Sequence, residues 1–434
     1  MKDFVQTKTV PVVAEYDVVV CGGGPSGIIA AIAAARGGAR TAIVERYGFF
    51  GGMATAGLVA PISVFNYNGK RIVDGIPWEF VSRLIEVDGA VEEKPLGNIS
   101  FSPEKYKLIA QRMLLEAGVQ IYFHSWLSGC RMDGNRITHA VIENKNGTEA
   151  IGGRYFIDAT GDADLGRMAG VPMQPASEEL QPASLIFMLG GVDTDALPML
   201  HHSRQGVNYH DLEIRGTFER LREKDPSVPV FGGPWYCGIL EKGIVLVNMT
   251  RIYADMASNR EQTDVECRMR EHVNLFAGLL RKHVPAFRNS FLIATAPQTG
   301  VRETRRIKGA YTLTGDDYIN AADFPDAISR GCHPVDIHAG GSTMQRCQFL
   351  KDAAFVPYRT LYSPGYPNYM VAGRAFSADA VASASVRVQA SCMGLGQAAG
   401  AAAAIAAGNK EAFCDVDTDR LREILVGYGT NLTK

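Results

Sequence analysis

Tyr16-Asp17-Val18-Val19-Val20-Cys21-Gly22-Gly23-Gly24-Pro25-Ser26-Gly27 decides the fold of this 434-residue chain. The apolar run reads as a buried strand, the glycines as a tight turn, and Pro25 and Ser26 as the first turn of a helix. An Ala-rich helical run follows to Arg36, and a second strand, Thr41-Ala42-Ile43-Val44, ends at Glu45. The spacing Gly22-x-Gly24-x-x-Gly27 is thus a dinucleotide fingerprint in the strand–turn–helix setting that gives it meaning. Gly22 takes the tight turn, Gly24 lets backbone approach a pyrophosphate, and Gly27 lets the helix pack close on the strand. The helix N-terminus offers unpaired N–H groups and a partial positive charge to the phosphates. Glu45, with Arg46 beside it, stands where a carboxylate meets a ribose hydroxyl.

Working outward, 46% hydrophobic and 21% charged residues describe a globular chain long enough for about two domains. A net charge of −2 with no Lys/Arg run gives no electrostatic case for nucleic acid or an anionic membrane. The first 15 residues lack a basic segment followed by an apolar stretch, so no signal peptide is expected. The Ala/Gly-rich run from Gly394 to Ala407 is too short to span a bilayer. The eight cysteines form no CxxC pair, so iron–sulfur and structural zinc sites lack their usual sequence form. Scattered free thiols suit a cytoplasmic protein. His201-His202 point to different faces with no acidic partner at ligand spacing, so no metal is expected.

Helices are expected near Pro77 and between Ser102 and Gly118. Asp133-Gly134-Asn135 and Asn146-Gly147 punctuate alternating segments, the signature of a three-stranded meander. Tyr155 to Gly161 returns as a buried strand ending in a small-residue turn. From about residue 171 to 344 the texture changes. Strand-like runs (Ser184–Leu189, Ile244–Met249, Ser290–Thr295) surround a long helix from about Asp264 to His283. Asn368-Tyr369-Met370-Val371-Ala372-Gly373 is another strand-to-glycine turn, followed by a helix from near Val386 to Ala407. The expected architecture is α/β. A Rossmann-type domain with a central parallel sheet and a β-meander (1–170 and 345–434) carries an inserted α+β substrate domain (171–344).

Three separated segments argue together: residues 17–45; Phe156-Ile157-Asp158-Ala159-Thr160-Gly161-Asp162-Ala163-Asp164; and Val371-Ala372-Gly373-Arg374-Ala375-Phe376-Ser377 with Ser385-Val386-Arg387-Val388-Gln389 and Gly394 to Gly400. In these the chain resembles the FAD-dependent oxidoreductases with a glutathione-reductase-type FAD fold. It is more distantly similar to fumarate reductase flavoproteins and thiazole-biosynthesis flavoproteins. The resemblance covers nearly the whole chain and is thinnest across about 193–285. It implies FAD as cofactor and contacts from the 48–55 loop (Gly51, Gly52, Met53, Ala54), from Ala159-Thr160-Gly161, and from Gly373-Arg374. A chain that leaves the dinucleotide fold, builds a large insert and returns at residue 371 suits FAD better than NAD. The isoalloxazine lies far from the pyrophosphate, and its N1/O2 edge becomes anionic on reduction. A helix N-terminus there stabilises the reduced form, and Ser385-Val386-Arg387 is the candidate segment. Asp379 departs from the small or hydroxyl residue the family pattern carries in that loop.

A flavin performs the redox step, and the protein supplies an acid or base and a cation. His338, beside Asp336, is the acid/base candidate, since a pKa near 6.5 permits both protonation states at neutrality. Arg302, Arg305 and Arg306 form the densest cationic cluster; Arg302 and Arg305 are the candidate clamp for a carboxylate or oxyanion, with Glu303 as an ion-pair partner. Cys332 and Cys347 flank His338. Trp235, Tyr236 and Tyr311 could line a pocket. The expected function is FAD-dependent hydride transfer to or from a small organic substrate, with an anion as one option, by a dehydrogenase, oxidase or ene-reductase. An electron-transfer flavoprotein subunit with an external partner, or a flavoprotein acting in RNA modification, is the alternative.

Overall fold

A computed structural model describes residues 4–5, 7–177, 180–197, 212–338 and 345–434, so His201-His202 lie outside the described residues. Strand β1 (Val12–Cys21) feeds helix α1 (Pro25–Arg36) and then β2 (Thr41–Val44), all at the positions read from the fingerprint. β1 pairs in parallel with β2, and β2 in parallel with β3 (Gln120–Tyr122). The meander β4 (Trp126–Asp133), β5 (Arg136–Asn144) and β6 (Gly147–Asp158) is antiparallel throughout. β6 joins the two systems. Its first half pairs with β5, while Ala150 to Asp158 runs parallel to β1. Val18, Val19, Val20, Phe156 and Ile157 are wholly buried, as parallel strands covered on both faces must be.

A second hydrophobic core gathers around a four-stranded antiparallel sheet: β7 (Phe187–Gly190), β8 (Phe231–Gly238), β9 (Val245–Thr250) and, after helix α2 (Asn259–His283), β10 (Phe291–Thr295). The sheet order is β8-β9-β7-β10. Three of these strands and α2 match the sequence expectation within a few residues. The strand carrying Trp235 and Tyr236 was not expected; a register shift between Phe231 and Trp235 accommodates Gly232-Gly233-Pro234 within it.

The chain then forms β11 (Val335–His338), returns to the parallel sheet as β12 (Tyr369–Val371) beside the end of β6, and finishes with α3 (Ala380–Val386) and α4 (Gln389–Asn409). The helix expected from near Val386 to Ala407 is α4, and α3, which was not expected, precedes it across a break at Arg387-Val388. Asp379 serves the framework. Its carboxylate caps α3 by accepting from the Ala382 N–H at 2.8 Å, and it also accepts from the Gly315 N–H. At 21 residues α4 is long and apolar enough to cross a membrane, beyond the Gly394–Ala407 run read as too short, but 94% of its apolar window is buried within the fold. Its composition has a packing cause. A β-carbon on Gly396 or Gly400 would collide with the carbonyl oxygens of Ser26 and Ala30 in α1, so the two helices pack backbone to backbone.

Candidate active site

Fingerprint, meander, second sheet and returning segment converge on one cavity of ≈ 470 Å³, within the usual range for small-molecule sites. Gly22 has φ +105°, and any β-carbon there would strike the backbone of Ala159. A β-carbon on Gly27 would overlap the Gly22 carbonyl. Gly24 differs: the nearest atom to such a carbon is the Gly52 Cα at 3.9 Å, so its space opens on the cavity. Pro25, Ser26, Gly52 and Met53 also line it, while Gly27, Gly51 and Ala54 lie behind. Gly51 still matters, because its N–H donates to the Gly23 carbonyl at 2.8 Å and ties the 48–55 loop to the fingerprint turn. The returning segment is tied there too, through the Ser26 hydroxyl donating to the Ala372 carbonyl at 3.2 Å beside Gly373.

Glu45 is 5% exposed and lines the cavity. Its two oxygens accept from the backbone N–H groups of Gly23 (2.7 Å) and Tyr47 (2.9 Å), while burial pushes its carboxyl up. Each oxygen keeps a second lone pair, enough to accept from a sugar hydroxyl. Next to it the Arg46 guanidinium lies 5.2 Å from the Trp126 ring centroid and donates to Gln298. Neither Trp126 nor Gln298 stood out in the sequence. Ala159, Thr160 and Gly161 line the middle of the cavity. Arg374 also lines it, but its guanidinium is committed to Asp162 and to the Gly161 and Val301 carbonyls.

The helix terminus expected at Ser385-Val386-Arg387 falls three residues later. Ser385 and Val386 close α3, buried and away from the cavity, with the Ser385 hydroxyl donating to the His333 carbonyl. Arg387 lines the cavity, and the N-terminus of α4 follows it with Val388, Gln389 and Cys392 on the wall. The break has a local cause: Val388 takes extended dihedrals as N-cap, which separates the helices. The side-chain amide of Gln389 donates to the Val59 carbonyl at 2.7 Å. Among the described residues, its Oε1, the Nε of Arg387 and the Oδ1 of Asn248 are buried wall atoms with no hydrogen-bond partner.

At this end stand Arg302, His338 and Asp336. Arg302 donates from one nitrogen to the Pro182 carbonyl (2.6 Å) and the Ser184 hydroxyl (2.7 Å). Burial, then the charges of Arg387 and Arg251, pull it down to about 9. Arg305, the other expected clamp, is not on the cavity wall. It pairs with Asp164 and donates to the Asp162 carbonyl at 2.8 Å. Arg306 and Glu303 form a buried ion pair. The cluster therefore divides, one arginine facing the site and two serving the framework.

His338 is 5% exposed and does line the cavity, but its protonation differs from expectation. Its Nδ1 is 2.8 Å from an Arg251 nitrogen and its Nε2 is 3.2 Å from the Asp336 carboxylate. Burial, then the Arg302 charge, push the imidazole down to about 3 against the opposing pull of Asp336. It is neutral at physiological pH, not poised between two states. Burial alone would raise the Asp336 carboxyl, but the His338 hydrogen bond and the Arg387 charge 3.9 Å away hold it well below the usual carboxylate range. Burial pushes the thiols of Cys332 and Cys347 up to about 12 and about 11, which removes them as nucleophiles. Trp235 and Tyr236 line the cavity, whereas Tyr311 packs against Phe324 and Arg359 elsewhere. Arg251 was missed, although a signal exists. It directly follows the mostly apolar run Val245 to Thr250, which is buried on both faces, so the chain leaves the strand with Arg251 buried as well.

The sequence profile of the FAD dependent oxidoreductases matches residues 17–425. The chain belongs to that family. It is an FAD-dependent oxidoreductase. No curated protein sequence matches. Among solved structures it is similar to a geranylgeranyl bacteriochlorophyll reductase-like protein from Thermoplasma acidophilum (14% identity, 95% of this chain and 84% of that one, TM-score 0.46). Others are an anhydrotetracycline hydroxylase from Streptomyces rimosus (13%, 95% and 67%, TM-score 0.49) and THI4 from Thermovibrio ammonificans (25%, 37% and 64%, TM-score 0.29).

The residues present fit FAD. Gly24 leaves room beside the N-terminus of α1 for a pyrophosphate. Glu45 could hold a ribose, and the Arg46–Trp126 shelf lies next to it. The N-terminus of α4, with the unpartnered Gln389 Oε1 and Arg387 Nε, would offer an acceptor, a donor and positive potential to a flavin.

Proposed function

We propose that this oxidoreductase moves a hydride between FAD and a small organic anion, which Arg302 and Arg387 grip. FAD supplies the hydride acceptor or donor at N5. The protein binds and orients the substrate's charged group and keeps water from the reacting carbon. In this reading residues 1–170 and 345–434 form the FAD-binding part, and 171–344 the layer on the substrate side; a separate hydrophobic core over Ala183 to Val301 supports the centre of that layer, while Ile307, Leu313, Tyr318, Ile328 and Val335 pack into the first core.

One observation carries the reading. Among the described residues, two buried guanidinium groups, Arg302 and Arg387, face the Asp336 carboxylate and a neutral His338. Buried charge of one sign is costly unless an opposite charge joins it. The site therefore favours an anion, and guanidinium groups hold a carboxylate through paired hydrogen bonds. The test is to titrate the yellow holoenzyme with small carboxylic acids and their neutral amides, following the flavin absorption bands. We expect only the acids to perturb the bands, with affinity falling as salt rises, and anaerobic bleaching to be confined to acids. Amides that bind and bleach as well as acids would refute it.

A further inference from the structure

We propose that Arg251 is a positioning residue that locks His338 as a neutral imidazole carrying its proton on Nε2, so that His338 hydrogen-bonds within the site and carries no proton in turnover. This goes beyond the anion-binding reading and does not depend on it. The argument begins with donors and acceptors. A guanidinium only donates, so the His338 nitrogen 2.8 Å from Arg251 must accept. The remaining proton is then on Nε2, directed at the Asp336 carboxylate 3.2 Å away. Asp336 is itself anchored from the other side by Gln345. Protonating Nδ1 would set an N–H against an N–H, which burial makes costly.

The surroundings of Arg251 hold it in that position. A β-carbon on Gly232 would lie 2.6 Å from the Arg251 guanidinium carbon, so only glycine there leaves the group its place. Trp235 touches both partners, with its ring 5.6 Å from the guanidinium and 5.8 Å from the imidazole, nearly perpendicular to the latter at 83°. Strands β8 and β9 thus reach across to β11 and set the tautomer of its last residue. Among the described residues, the charged groups facing His338 are Arg251 just after β9, Arg302 from the 296–306 segment, Arg387 after α3, and Asp336 on its own strand. His333 and Tyr253 lie one contact further out, facing Asp336 and Arg251.

The experiment is nitrogen-15 NMR of histidine-labelled holoenzyme from pH 8 to 5, with His338 assigned from a His338→Gln variant. The expected wild-type result is a neutral Nε2–H tautomer whose signals do not move across that range. In Arg251→Met, Nδ1 is released beside an anionic Asp336, and the midpoint should rise so that the signals begin to move at the acid end of the range. Gly232→Ala, which displaces the guanidinium, should move it in the same direction and serves if Arg251→Met does not fold. A wild-type His338 that titrates between pH 8 and 5, an Nδ1–H tautomer, or variants with wild-type behaviour would each overturn the proposal.

Discussion

Gly24→Ala should separate cofactor binding from folding. The nearest atom to the new methyl carbon is 3.9 Å away, and Gly24 has φ −74° and ψ −177°, dihedrals any residue adopts. Gly24 is the N-cap of α1, where alanine is poorer than glycine by about 0.5–1 kcal/mol. Loss of glycine's freedom in the unfolded chain returns about 0.4–1 kcal/mol, so the protein without FAD should melt within a few degrees of wild type. The methyl group nevertheless occupies the space over which a pyrophosphate must pack. Overpacking a close contact costs about 1–3 kcal/mol, which is a roughly 5- to 150-fold weaker FAD affinity. Gly27→Ala provides the contrast. Its β-carbon overlaps the Gly22 carbonyl, so it should lower the melting temperature of the FAD-free protein itself. Fluorescence titration of deflavinated protein with FAD, beside thermal unfolding with and without cofactor, reads both quantities. A Gly24→Ala protein that binds FAD like wild type would place the pyrophosphate elsewhere and refute the reasoning.

Other outcomes follow from the same geometry. Glu45→Gln replaces one acceptor of two backbone N–H groups with a donor, and should weaken FAD retention roughly 10- to 150-fold, at about 1.5–3 kcal/mol, in the same titration. Arg302→Lys should raise the acid concentration needed for half-maximal bleaching by about tenfold or more, with the limiting rate little changed, because it loses paired grip in the ground state. Arg305→Ala should leave that concentration within about threefold and cost at most about 1 kcal/mol of stability, since its partner Asp164 is partly exposed. His338 has a folded pKa of about 3, below its unfolded value of about 6.5. Between those limits the unfolded chain binds the extra proton, so stability should fall as pH drops from about 6.5 towards 3, by at most about 1.4 kcal/mol per pH unit. Urea unfolding at stepped pH should show a shallower slope in His338→Gln.

The α/β fold and its cofactor were legible because they are encoded locally. Strand, glycine turn, helix and acid lie within thirty-odd consecutive residues, and turn sterics at Gly22 and Gly27 leave few alternatives. The meander was legible for the same reason, through its Gly-bearing turns at 134 and 147 and its alternating strands. The terminus of α4 was displaced by three residues because Ser385, Val386 and Arg387 are all tolerable in a helix, and the break depends on the extended Val388. The composition of α4 was visible, but its reason, contact with α1, joins residues more than 350 positions apart.

The substrate end shows the limit most clearly. By itself the sequence determined that arginines and a histidine–aspartate pair exist, and which residue types could bind an anion or carry a proton. Only the tertiary structure decided that Arg302 faces the cavity while Arg305 and Arg306 turn to Asp164 and Glu303. It also brought Arg251 to His338 across 87 residues of chain. The physical reason is that charge and protonation depend on burial and on partners a few ångströms away. Linear spacing specifies which face of a strand a side chain takes, but not which distant group it will meet there.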